Sequence, residues 1–147
     1  MRNLDLASPD ITERERELVN IVLSGTSLSG GPMLSQLEAM MAERAGRKHA
    51  IGVSSGTAAL HMIVRGLGLG RGDAVITTSF SFVASSNCLL FEDVEPVFVD
   101  IDDRTFNLDP ELVRKALLED DERRSRIKAI LAVDVFGRSE ERRVGKE

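Results

Sequence analysis

From residue 49 onward, short apolar runs alternate with segments of helical periodicity, and this alternation confines the chain to few folds. The runs are residues 49–53 (HAIGV), 74–78 (AVITT), 96–100 (PVFVD) and 128–133 (KAILAV). Helices are predicted between them over residues 57–67 and 82–91. A third opens at Asp109-Pro110, an N-cap with Pro at the first helical position, and continues through Leu112, Val113, Ala116 and Leu117. The runs are apolar on both faces rather than alternating, which marks strands covered by helices on either side. The predicted fold is therefore α/β, a three-layer αβα arrangement around a mainly parallel sheet. Such sheets bind ligands outside the carboxyl ends of their strands. The residues to read for chemistry are then 54–57, 79–82, 100–103 and 134–137.

The first 48 residues follow another pattern. Thr12 and Glu15 form a capping box, and Leu18, Ile21 and Val22 repeat at helical spacing until Ser24-Gly25. Residues 24–32 (SGTSLSGGP) are a Gly/Ser-rich loop. Leu34, Leu37 and Met41 mark a second amphipathic helix, ending at Gly46. Met33, Met40 and Met41 read as core filler or exposed helix residues.

Composition narrows the function classes. Lys and Arg total 19 against 24 Asp and Glu, and six Phe with no Trp or Tyr leave few rings for stacking bases, so nucleic-acid binding is disfavoured. No apolar run approaches the roughly 18 residues that span a bilayer. The first 18 residues contain no apolar signal core. The single Cys88 excludes an internal disulfide and a cysteine-based zinc site. Together these suit a reducing cytoplasm.

The turn Ser54-Ser55-Gly56-Thr57 is the most informative site. A glycine permits a tight turn before a helix whose first N–H groups have no intrahelical partners and carry the positive end of the helix dipole. Such a turn can hold a phosphate. Plain N-capping by Ser or Thr explains the same residues. A third reading notes that Gly52, Ser54 and Gly56 match G-x-S-x-G, which makes Ser54 a candidate acyl-transfer nucleophile. That serine hydrolase needs a later histidine. The one available, His61, is seven residues on in the same helix and cannot fold back, and His49 lies upstream.

Other motifs carry less. Gly66, Gly68, Gly70 and Gly72 follow a helix and precede a strand, the reverse of a dinucleotide loop, and read as a helix stop and turn. Asp100, Asp102 and Asp103 are spaced like the start of a calcium loop. However, Arg104 and Thr105 replace a ligand and the needed glycine, so no metal site is expected. Phe82 follows the run at 74–78, where a flat ring can cover a planar ligand.

These residues, in order, resemble the N-terminal part of the DegT/DnrJ/StrS sugar aminotransferases. The resemblance is carried by Ser24-Gly25 with Gly31-Pro32, by Lys48-His49-Ala50, and by residues 54–61 (SSGTAALH). Residues 72–76 (GDAVI), 79–87, 96–102 (PVFVDID), 105–110 (TFNLDP) and 128–130 (KAI) continue it, so that it spans about residues 10–138. It implies the large domain of fold type I enzymes that use pyridoxal 5′-phosphate (PLP). It implies amino transfer, usually from glutamate, to a keto-sugar nucleotide in nucleotide-sugar, polysaccharide or antibiotic-sugar biosynthesis. Gly56 and Thr57, with Ser55 nearby, are implied to hold the cofactor phosphate, and Phe82 to stack on its ring. Ser81 replaces the family's Thr and keeps the hydroxyl. Asp134 stands where many members have His, and no role is assigned to it.

The resemblance also implies what to look for and not find. The Schiff-base Lys and the carboxylate that pairs with the pyridinium nitrogen follow the last run read here, and neither is present. No catalytic residue is therefore assigned, and the chain alone is expected to be inactive. After Gly137-Arg138 the family pattern stops. Residues 1–48 are read as a helical segment and Gly/Ser loop, 49–138 as a partial PLP-binding domain, and 139–147 as a truncated or non-native end. A homodimer is implied for full-length members. The alternative to the aminotransferase is a phosphate-binding α/β module.

Overall fold

The computed structural model describes residues 8–118 and 121–137. The chain separates into two compact units, Met1–Gly52 and Val53–Glu147. The expected tail at 139–147 lies outside the described residues.

The first unit holds two helices. Helix α1 (Glu13–Leu23) opens on the capping box: Thr12 Oγ1 accepts from the Arg14 amide, and the Thr12 amide donates to Glu15 Oε2 at 2.7 Å. Helix α2 (Pro32–Arg44) starts with Pro at its first position after Gly31. It is left through Gly46 at φ +60°, a conformation that costs glycine no Cβ clash. Neither helix has a fully buried residue, and Val19, Ile21, Leu23, Leu37, Met40 and Met41 are exposed.

The second unit is built on a parallel sheet in the order β2-β1-β3. Its elements are α3 (Gly56–Gly66), β1 (Ala74–Thr77), α4 (Ala84–Leu90), β2 (Glu95–Phe98), α5 (Pro110–Leu118), α6 (Asp121–Arg126) and β3 (Ile127–Ile130). Strand β1 is central and buried along its whole length, which explains why its sequence is apolar without alternation. Its side chains still divide by face, because successive residues of a strand point to opposite sides. Val75 packs with Val64 of α3 and Cys88 and Leu89 of α4, joined by Ala129 of β3. Ala74 and Ile76 pack with Val97 of β2 and Val113 of α5, joined by Ile127. Helices α3 and α4 cover one face and α5 the other, so the expected three-layer αβα arrangement is present. Burial pushes the Cys88 thiol up, away from the reactive thiolate form.

At the amino ends of the strands, the Arg126 guanidinium donates to Gly72 O at 2.9 Å and pairs with Glu95. One cation thus joins the entries to β1, β2 and β3. Helix α3 stops at Gly68 (φ +70°), as the helix-stop reading of residues 66–72 has it. At α5, Asp109 Oδ1 accepts from the Glu111 amide at 2.8 Å, the expected N-cap.

One expectation needs correction, and one helix was not foreseen. Residues 49–53 form no strand. Their Gly52 amide donates to Glu38 Oε1 at 2.8 Å instead of to a neighbouring strand, Ile51 is exposed, and the run divides between the two units. A short apolar run becomes a strand only where a sheet edge is available to pair its backbone. Helix α6 was not expected, since DERRSR carries no apolar face. The remaining strands are each a residue or two shorter than the apolar runs that announced them.

Candidate functional site

All three strands are parallel, so their carboxyl ends emerge together. Between the loops after β1 and β3 lies a cleft of about 530 Å³ lined by Ser79, Phe80, Ser81, Phe82, Val133, Asp134 and Val135. Its walls are tied from below. Thr77 Oγ1 donates to Leu131 O at 3.1 Å, and Thr78 Oγ1 accepts from the Phe80 amide at 3.1 Å. The hydroxyls of Ser81 and Ser85 meet at 2.7 Å, which anchors the loop to the first turn of α4. Phe82 stands on the rim with 77% of its surface exposed. Asp134 is exposed in the opposite wall.

Ser55, Gly56 and Thr57 do not line this cleft. They form the start of α3. Ser55 is the N-cap, and its Oγ accepts from the Ala58 amide at 3.1 Å. The capping explanation of this serine is thus realised, although its O–H remains a donor. The amides of Gly56 and Thr57 are first-turn groups without intrahelical acceptors. A Cβ placed on Gly56 would meet no atom within 4 Å. The conformation does not demand glycine either, since Gly56 is not among the residues of positive φ. What glycine leaves at this position is room beside N–H groups that have no acceptor within the helix. Helix α3 feeds β1 through residues 67–73 and lies back on it through Leu60 and Val64. Its N-terminus therefore stands at the carboxyl end of the sheet, the same end as the cleft.

The nucleophile elbow is not formed. No strand precedes Ser54, and Gly52 belongs to the other compact unit. His61 turns away to a structural pair: its Nε2 lies 2.6 Å from Glu92 Oε1, and its ring meets Phe91 edge-on at 5.2 Å. Arg65 adds a second cation to the same carboxylate at 3.3 Å.

The acidic segment after β2 is a turn. Asp102 Oδ1 accepts from the Thr105 amide at 2.8 Å and the Arg104 amide at 3.0 Å. These bonds hold its carboxyl below the usual carboxylate range, with Thr105 contributing most. No metal-ligating cluster occurs among the described residues. A depressed folded pKa stabilises the turn above the unfolded Asp value of about 3.9. The contribution is lost as pH falls through the lower folded value. The protection of the Thr105 amide, its exchange rate referred to the intrinsic rate at the same pH, is expected to fall as pH drops through the lowered Asp102 value, and Asp102→Asn to flatten that acid dependence. Protection in the parent chain that stays constant with acidification would contradict it.

The sequence reading missed one feature. Phe80, Phe106 and Phe136 gather beside the cleft, with centroid separations of 5.9 Å (Phe80–Phe106), 5.5 Å (Phe106–Phe136) and 6.4 Å (Phe80–Phe136). The available signal was that each lies in the loop that follows a strand.

The model of the DegT/DnrJ/EryC1/StrS aminotransferase family matches residues 9–143. The UDP-2-acetamido-2-deoxy-3-oxo-D-glucuronate aminotransferase of Pseudomonas aeruginosa is 40% identical over 107 residues, 73% of this chain and 28% of the relative. The GDP-perosamine synthase of Caulobacter vibrioides is 36% identical over 135 residues, 91% of this chain and 35% of the relative. Among solved structures, NtdA from Bacillus subtilis with bound cofactor PMP superposes with a TM-score of 0.76 at 31% identity, covering 89% of this chain and 30% of that one. The chain spans about a third of the length of the relatives it matches.

Proposed function

The chain belongs to the DegT/DnrJ/EryC1/StrS aminotransferase family, and on that premise we propose that it supplies the cofactor-phosphate part of a PLP-dependent sugar aminotransferase. The reaction is amino transfer from an amino acid, glutamate being the expected donor, to a keto-sugar nucleotide. The single observation that carries the reading is the N-terminus of α3, opened by Ser55 and Gly56 at the same end of the sheet as the cleft lined by Phe82.

The residues fit the group. A phosphate dianion suits the N-terminus of α3, where the Gly56 and Thr57 amides and the helix dipole favour negative charge. The Ser55 hydroxyl keeps a donor available while its oxygen caps the helix. The absent side chain of Gly56 leaves the approach clear. The exposed ring of Phe82 offers an apolar face to a planar heterocycle. When bound, the cofactor supplies an electron sink for carbanion chemistry. The chain's own residues bind and orient it, and none of those described supplies the lysine amine that such chemistry requires.

The same reading includes a second copy of the enzyme as partner, supported by the exposed apolar residues of α1 and α2. It also includes a cytoplasmic setting, supported by the lone Cys88. Among the described residues no helix is long and apolar enough to cross a membrane.

Gly56→Ala tests the phosphate site. The methyl meets no protein atom and alanine is the better helix former, so stability is expected to hold or rise by up to about 1 kcal/mol. Affinity for PLP, measured by equilibrium dialysis with inorganic phosphate as competitor, is expected to fall at least about tenfold. Equal affinity in parent and variant would overturn the assignment.

A further inference from the structure

Among the described residues, only Asp93 and Phe106 have positive φ without being glycine, at 57° and 61°. Asp93 is unremarkable: a short polar side chain tolerates this region, and its carboxylate meets Arg71 at 3.1 Å. For a bulky aromatic residue the conformation is a true outlier, since its Cβ crowds the backbone. Backbone of this kind persists only where its surroundings over-determine it. Here they do. Asp102 O accepts from the Phe106 amide at 2.9 Å, and Asp102 N donates to Asn107 O at 2.9 Å. The Asp102 carboxylate caps the same turn, and an antiparallel bridge joins Ile101 to Leu108.

The strained turn places the Phe106 ring against two others, which also meet each other. It stacks on Phe80 at 29° and meets Phe136 edge-on at 87°. Each ring comes from the loop after a different strand: Phe80 after β1, Phe106 after β2, Phe136 after β3. Phe80 itself lines the cleft, and Phe136 directly follows Val135, which does too. The loop after β2 contributes no residue to that lining, so its effect on the cleft runs through this contact.

We propose that Phe106 is a positioning residue, whose ring, held out by the left-handed turn, braces Phe80 and Phe136 and so fixes both walls of the cleft. The consequence for PLP rests on the reading of Phe82 given above: a fixed 79–82 loop presents Phe82 in one orientation to the cofactor ring. The bracing itself does not depend on that reading.

Hydrogen exchange with mass-spectrometric readout on the 147-residue chain tests it. The reporters are the Phe80 and Gly137 amides, bonded to Thr78 Oγ1 and Asp134 O. The controls are the Leu131 and Val99 amides, bonded to Ile76 O and Thr77 O in the sheet. Phe106→Gly relieves the strained backbone and removes the ring. It is expected to speed the reporters at least about tenfold and leave the controls unchanged. Phe106→Tyr keeps the ring and is expected to restore parental rates. A role confined to stability predicts the opposite, no change or uniform slowing, because the strain is gone. Unchanged reporters, or equal acceleration of reporters and controls, would overturn the proposal. Should Phe106→Gly not fold, Phe136→Ala leaves the turn intact and must speed the Phe80 amide, and an unchanged rate there overturns it equally. PLP affinity, measured in parallel, is expected to fall in Phe106→Gly and return in Phe106→Tyr. Loosened reporters with no PLP binding in any variant would sink the cofactor reading and leave the bracing standing.

Discussion

The purified 147-residue chain, given PLP, glutamate and a keto-sugar nucleotide, is expected to form no aminated sugar. Amino transfer on this cofactor needs a lysine amine at the reacting carbon, and the chain has four lysines. Lys48 belongs to the first compact unit. Lys115 lies on α5, and Lys128 donates from Nζ to Ser125 O at 2.8 Å at the amino end of β3, opposite the cleft. Lys146 lies outside the described residues, in a stretch where the family resemblance has ceased. No described lysine lines the cleft. The assay is release of 2-oxoglutarate from glutamate together with mass spectrometry of the sugar nucleotide. Turnover above a no-protein control would refute the expectation. The experiment separates two properties that family membership runs together: the phosphate binding proposed at α3 rests on residues present here, and amino transfer does not.

Ile76→Ala is expected to cost about 2–5 kcal/mol. Ile76 is fully buried in the central strand, in register with Val97 on one side and Ile130 on the other. It packs in the cluster that includes Val113 of α5. Truncation therefore leaves a cavity that the neighbouring strands cannot close without breaking their pairing. Domains of this size are stable by only about 5–15 kcal/mol in total, so the variant should be largely lost at moderate denaturant. Denaturant unfolding followed by far-UV circular dichroism reads the change. Ile51→Ala, at a residue 72% exposed, is the matched control and should stay within about 0.5 kcal/mol of the parent. Similar losses in both variants would mean that the αβα core is not centred on β1.

Much of the fold was legible because its signals are local. The Thr12–Glu15 box, the Asp109 cap and the glycine stops at Gly46 and Gly68 act within a turn of where they are written, and each is found where expected. The apolar runs at 74–78, 96–100 and 128–133 each announce a strand, but only β1 is buried along its whole length, while β2 and β3 at the two edges keep exposed positions. The run at 49–53 has the same character and forms no strand, because pairing is a property of the partner and not of the run. Helix α6 escaped notice for the converse reason: its charged sequence shows no apolar periodicity.

The sequence by itself determined the α/β class, the family, the turn at Ser55, Gly56 and Thr57, and the place of Phe82 beyond a strand end. Those follow from residue type and spacing along the chain. Tertiary structure decided which apolar run joins the sheet, sent His61 to Glu92 and away from Ser54, and spent the Asp102 carboxylate on a turn. It also gathered Phe80, Phe106 and Phe136 from three separate loops. The physical reason is range. Capping and periodicity act over a few residues, whereas ring packing depends on strand order and register, which bring together groups more than 50 positions apart, as the bond from Thr77 to Leu131 does.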